Sequence, residues 1–318
     1  MAGNPAHIGR VANPSSLNGL CRDRPDPSEF PVIVGDYDTT PAGGRNRHPN
    51  GPWEWCCHCQ ASRHWSGFVV ADTKGRLYLI GSECGAKHYD GEHFRIAKRN
   101  YRDVEHSRTL DRRLFRLRSL AKSGVEEINS VLNSPLLAAV DAKRQHIERA
   151  CPDVVSRLAN FVRTGSTLTV PVQARGLKGA GFTTESIGPV QGGALVFHDV
   201  RSMAQAAREA LEHAATLASG DGVSAKAKGL RAVTTALENL QRSVAELNGA
   251  DRFFDAANTA RLEQWSDHLK RVFVIRAEGR SLIVAASGKP SARIDPFGQM
   301  EEIKLPICAE LLSPMGGA

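Results

Sequence analysis

Cys56, Cys59, Cys84 and His88 are set out as C-x2-C, a 24-residue gap, and C-x3-H. Thiolates and an imidazole at these intervals read as a zinc site, because Zn2+ takes four such donors in a tetrahedron. A C-x2-C pair on a tight turn offers two sulfurs from one knuckle. A cysteine and a histidine four apart on a helix project from one face toward the same ion. Cys57, His58, His64 and His93 stand close by and leave the identity of the fourth ligand open. The rival account is chance clustering in a core; the rarity of cysteine and the surrounding turn chemistry weigh against it.

The segments between the two pairs must position them. Gly67 to Ala71 and Arg76 to Ile80 are short β-rich runs joined by Asp72-Thr73-Lys74-Gly75, which predicts a hairpin. Gly81-Ser82-Glu83-Cys84 then supplies a serine N-cap for a helix that carries Cys84 and His88. Knuckle, hairpin and helix N-terminus in this order resemble the treble-clef class of zinc fingers over about residues 53 to 90. The resemblance implies a small module held together by a structural zinc and says little about a reaction. Trp53, Trp55 and Trp65 are expected to fill its small core rather than to stack on bases.

The formal charge is +7, and all of that excess falls between Arg95 and Lys122, where ten basic residues face three acidic ones. A basic segment directly after a zinc module is the electrostatic footprint of a polyanion binder, since lysine and arginine that neutralise phosphates release condensed counterions. Arg95, Lys98, Arg99 and Arg102 are expected to meet phosphates first. Arg112, Arg113 and Arg116 would extend the track. A plain solvated helix face is the alternative.

Seven cysteines, four of them between Cys56 and Cys84, suit metal binding in a reducing compartment rather than a disulfide framework. No apolar run is long enough to span a bilayer and no secretory pattern opens the chain, so a cytoplasmic protein with no membrane partner is expected.

The expected class is α+β. A small zinc-stabilised β-hairpin/helix module is followed by a helical middle and an α+β domain with an antiparallel sheet and a long helical hairpin. Residues 1–50, rich in Gly, Pro and Asn, are read as an irregular arm, with Phe30 to Val34 a candidate strand against the module. The zinc module covers 51–93, a basic helical region 94–164 and the α+β domain 165–318. In the basic region the apolar stripe slips between Val104 and Leu110, which predicts a break near His106-Ser107 or a stripe that drifts, and Gly124 is a plausible stop. Helices starting near Leu136 and Pro152 follow.

Ser166 to Arg175, Gly181 to Ile187 and Ala194 to His198 are β candidates, as are Val272 to Ala277, Ser281 to Ala286 and Ile303 to Ile307. These could form one sheet with the hairpin 200–269 inserted between them. Leu230, Val233, Leu237, Leu240, Val244 and Leu247 repeat as a heptad, read as core packing within the chain, although the same coiled-coil seam could serve a homodimer.

Gly176, Gly179 and Gly181 lack the register of a nucleotide-binding loop, and neither a G-x-S-x-G elbow nor an H-E-x-x-H helix is present. The expected function is therefore non-enzymatic: a zinc-containing nucleic-acid-binding protein. The alternatives are a protein-interaction adaptor or inhibitor, of a type found on mobile elements, and a treble-clef nuclease using His58 or His64 as base.

Overall fold

The computed structural model describes residues 7–26, 32–41, 53–89, 91–165, 167–173, 182–269 and 272–313. The chain is a mixed helix and sheet protein with a long helical hairpin, and it divides into two compact units, Met1–Leu110 and Asp111–Ala318. The division falls inside the basic helical region 94–164.

The first unit is built on a four-stranded sheet of order β1-β2-β5-β6, formed by Gly9–Val11 (β1), Val32–Asp38 (β2), Ser66–Ala71 (β5) and Leu77–Gly81 (β6). β1 runs parallel to β2, and the other pairs are antiparallel. Two stretches of the expected irregular arm are thus strands. The Phe30 to Val34 candidate is realised as β2 from Val32 onward, its first two residues lying outside those described.

The two-residue side-chain period of a strand gives this sheet two apolar faces. Phe68, Val70, Tyr78 and Ile80 point into one cluster, and Val69, Ala71, Leu77 and Leu79 into another. The β5–β6 turn is organised by Asp72, only 5% exposed. Its carboxylate accepts from the amides of Lys74 and Arg76 (both 2.9 Å), from Arg76 Nε (2.7 Å) and from the Tyr78 hydroxyl (3.1 Å). A second, two-stranded ribbon pairs Glu54–Cys56 (β3) with Ala61–His64 (β4), and a seven-residue helix, Ser82–His88 (α1), follows β6 directly.

Helix Gly91–Leu132 (α2) is unbroken. Neither the predicted interruption at His106-Ser107 nor a stop at Gly124 occurs. Phe94 and Tyr101 are buried in the first unit's core, and the Tyr101 hydroxyl donates to Asp36 Oδ1 at 2.8 Å. Leu114, Leu117, Ile128 and Val131 are buried in the second unit's core. One helix therefore contributes apolar residues to both cores without a break. At Gly124 a Cβ would come within 2.9 Å of Leu211 Cδ2; the glycine marks a close approach of two helices, not an end.

In the second unit Pro135–Ala150 (α3) starts at Ser134, whose side chain accepts from the Leu136 amide, and Pro152–Thr164 (α4) follows. Val200–Thr216 (α5) and Val223–Asn248 (α6) form the helical hairpin. Ala204, Ala207 and Ala214 let α6 approach, and Val233, Leu237, Leu240, Val244 and Leu247 bury the heptad seam within this chain's own core. Cys308, on Pro306–Leu312 (α8), joins the same core. Glu127 of α2 caps α8, its two carboxylate oxygens accepting from the amides of Ile307 (3.0 Å) and Cys308 (2.8 Å).

A second core gathers Thr167–Gln173 (β7), helix Ala256–Asp267 (α7) and the strands Phe273–Glu278 (β9), Ser281–Ala286 (β10) and Ala292–Ile294 (β11). The expected single sheet is two. Among the described residues β7 pairs only with Phe182–Pro189 (β8), and β9 to β11 form their own sheet of order β11-β10-β9. Pro171 accordingly sits in a two-stranded ribbon, where the missing donor disturbs no further ladder. Ala194 to His198 is a 3-10 turn and coil instead of a strand, and Ile303 to Ile307 leads into α8. The stretch 174–181, with Gly176, Gly179 and Gly181, lies outside the described residues. No helix among those described is long and apolar enough to cross a membrane.

Candidate metal centre

Cys56 ends β3, Cys59 lies in the turn to β4, His64 ends β4 and Cys84 stands in the first turns of α1. The turn is tight: Gln60 takes a left-handed φ of 52°, and its amide returns to the Cys56 carbonyl at 2.9 Å. The Cys57 amide donates to the Leu79 carbonyl at 2.9 Å, tying the knuckle to β6. β6 runs straight into α1, so the same strand that anchors the knuckle delivers Cys84 to it.

The three sulfurs and one imidazole nitrogen lie within 4.8 Å of one another. His64 Nε2 is 3.7 Å from Cys59 Sγ and 3.9 Å from Cys84 Sγ. A tetrahedron with metal–sulfur bonds of ~2.3 Å and a metal–nitrogen bond of ~2.0 Å has edges of about 3.5–3.8 Å, so the group can hold one metal ion, and the Cys3His donor set suits zinc.

The electrostatics point the same way. Burial opposes ionisation of Cys56, yet the amides of Cys59, Gly81 and His58 hydrogen-bond its sulfur and hold the thiol below its ordinary value. Burial, and then the Cys56 charge, push Cys84 up to about 12. Protein groups alone thus favour the thiolate at Cys56 and oppose it at Cys84, where a bound cation would supply the missing stabilisation. Cys57 belongs elsewhere: it is fully buried in the apolar core, and burial pushes its thiol up to about 12.

Three of the four expected ligands, Cys56, Cys59 and Cys84, therefore come together. The histidine beside them is His64. His88 ends α1, and its side chain lies outside the described residues. The signal for His64 was its place on the return strand of the knuckle, where β4 pairs it with Glu54. Around the site Trp65 is buried and stacks on Trp53, with ring centroids 4.4 Å apart, and Trp55 is half-buried.

The basic residues of α2 divide by environment. Arg95, Arg99 and Arg102 are exposed, and their spacings of four and three put them in one stripe of the helix. Arg95 meets Glu92 at 3.5 Å, both side chains well exposed. Lys98 is half-buried, its ammonium 5.1 Å from the centre of the Phe68 ring. In the second unit Arg112 and Arg113 are exposed, whereas Arg116 is half-buried and donates to the Glu310 carbonyl at 3.0 Å. The chain matches no family model, no curated protein and no solved structure.

Proposed function

We propose that the chain is a non-enzymatic nucleic-acid-binding protein whose first unit is a zinc-organised module of the treble-clef type. Knuckle ribbon, β5–β6 hairpin and the helix bearing Cys84 follow one another in that order, which supports the module. Four protein donors complete a tetrahedron without an open position for a reactive water, the arrangement of a structural site rather than a hydrolytic one. The observation that carries the binding role is the exposed stripe Arg95, Arg99 and Arg102, on the helix whose buried side completes the core around Cys56. Guanidiniums in such a row meet successive phosphates and carry no base readout, so sequence preference is weak. Arg112 and Arg113 extend the basic track; Lys98 and Arg116, engaged within the chain, contribute less.

The test is a salt titration of DNA and RNA binding by the whole chain and by its Arg95→Gln/Arg99→Gln/Arg102→Gln variant. Each lost phosphate contact lowers the slope of log K against log salt by about 0.9 on duplex DNA. An unchanged affinity and slope would overturn the reading. Exposed Phe115, at 73%, favours a second reading as a protein-interaction adaptor, whose partner binding would be insensitive to salt and lost in Phe115→Ala.

A further inference from the structure

The second unit holds a cleft of about 750 Å³ that the nucleic-acid reading does not use. Its wall is assembled from segments far apart in sequence: the end of α4, the turn before α5, the second half of α6 and the 3-10 turn Ala250–Phe254. Arg163, Arg242 and Arg252 reach it from three of these segments. Among the described residues none of the three guanidiniums is paired with a carboxylate; the side chain of Arg163 bonds to Asn160 Oδ1 at 3.2 Å.

The acidic side chains on the wall are Asp199 and Glu246. Asp199 accepts from the Ser243 hydroxyl at 2.8 Å, and three guanidiniums against two carboxylates leave the wall with a net positive charge. Like charges brought to one concavity repel, and an anion between them relieves that repulsion.

The cleft is held open by close backbone packing. Gly192 takes a left-handed φ of 60°, and a Cβ there would overlap the Phe253 amide nitrogen; a Cβ on Gly193 would strike Val162. The cleft is far larger than a bare oxyanion requires and lies within the ~300–1,000 Å³ range of small-molecule sites. Phe161, Val190, Phe197 and Met203 give it apolar wall.

We infer that this cleft binds a phosphorylated small molecule. Its phosphoryl oxygens meet the forks of Arg163, Arg242 and Arg252, whose planar geometry matches them, and its apolar or planar remainder lies along the phenylalanine side. The site is independent of the nucleic-acid reading, none of whose arginines lines the cleft.

ADP serves as the probe, titrated calorimetrically into the full chain at low ionic strength. Saturable binding of one ADP per chain is expected, weakened about tenfold by Arg242→Gln and again by Arg252→Gln, since a charge-assisted hydrogen bond lost from a site is worth about that factor. Both arginines are solvent-exposed, so the variants should keep the wild-type melting temperature, and a melt of each accompanies the titration. Binding should be unchanged in Arg95→Gln/Arg99→Gln/Arg102→Gln. No saturable binding of ADP, binding that the cleft variants leave intact, or binding lost equally in the first-unit variant would each overturn the inference.

Discussion

The imidazole of His64 lies against Gly81, in the space that any side chain at that position would occupy. Gly81 is the last residue of β6 and its amide also bonds to the Cys56 sulfur, so one backbone position supports two of the four donors. Gly81→Ala is therefore expected to displace His64 and weaken metal binding by about 10–100-fold, the usual effect of disturbing a supporting contact. Competition against a chromophoric chelator measures this. Retention of wild-type affinity would mean that His64 is not a ligand, and His64→Ala beside His88→Ala would then identify the imidazole that is.

Removing the metal should loosen the first unit alone. A structural zinc contributes folding free energy outright, and both cores of the second unit are made without any residue of the Cys3His group. With chelator, emission from the stacked Trp53 and Trp65 should change while most helical ellipticity remains. Loss of the whole helical signal at the same chelator concentration would contradict this.

Asp72 should give the first unit an acid limit. Burial opposes its ionisation, but the bonds from Arg76, Tyr78 and Lys74 prevail and hold the carboxyl below its ordinary value. A folded-state value depressed below the unfolded one, ~3.9, gives stability that is present above about pH 4 and is lost as pH falls through the folded value. Asp72→Ala should cost about 1–3 kcal/mol at neutral pH by leaving buried donors unmet, and should flatten the acid dependence. Urea melts at pH 7 and pH 3 compare the two; an equal acid loss in the variant would place the effect elsewhere.

Lys226 is buried, its Nζ bonding to Asp111 Oδ1 at 2.8 Å and to the Ser219 carbonyl at 2.5 Å. The two halves of this pair are unequal, because the Asp111 side chain is 36% exposed and the lysine 2%. Asp111→Ala strands a buried ammonium and should cost up to ~3–5 kcal/mol, whereas Lys226→Met keeps the volume and leaves a carboxylate that water can solvate. Denaturant midpoints should fall further for Asp111→Ala. The opposite order would show that packing of the lysine stem outweighs its charge.

The parts of the molecule that could be read from sequence are those set by neighbours a few residues apart. The C-x2-C knuckle, the Asp72–Gly75 turn, the start of α4 at Pro152 and the heptad of α6 all rest on local spacing. His64 was harder to see than His88 because a helical interval is visible in the sequence, whereas a strand folding back across a ribbon is not. β1 pairs with β2 through Gly9 and Gly35, partners 26 positions apart with no local mark. The separation of β7–β8 from β9–β11 escaped for a related reason: alternation identifies a strand and is silent on its partner. The stripe of α2 was legible, but its slip after Val104 left a break and a drifting stripe equally open, since a sequence does not announce that one helix serves two cores.

The bond between Glu127 and the first turn of α8 joins residues 180 and 181 positions apart. During synthesis at ~5–20 residues per second, Glu127 leaves the ribosome roughly ten seconds or more before Cys308 can arrive. For that interval the core that Cys308 joins lacks α8, and α5 and α6 are among the helices of that core made in between. Contacts between residues so far apart carry a loop-closure entropy that must be met before the contact rewards it, which places the Glu127–α8 cap among the later contacts of the second unit.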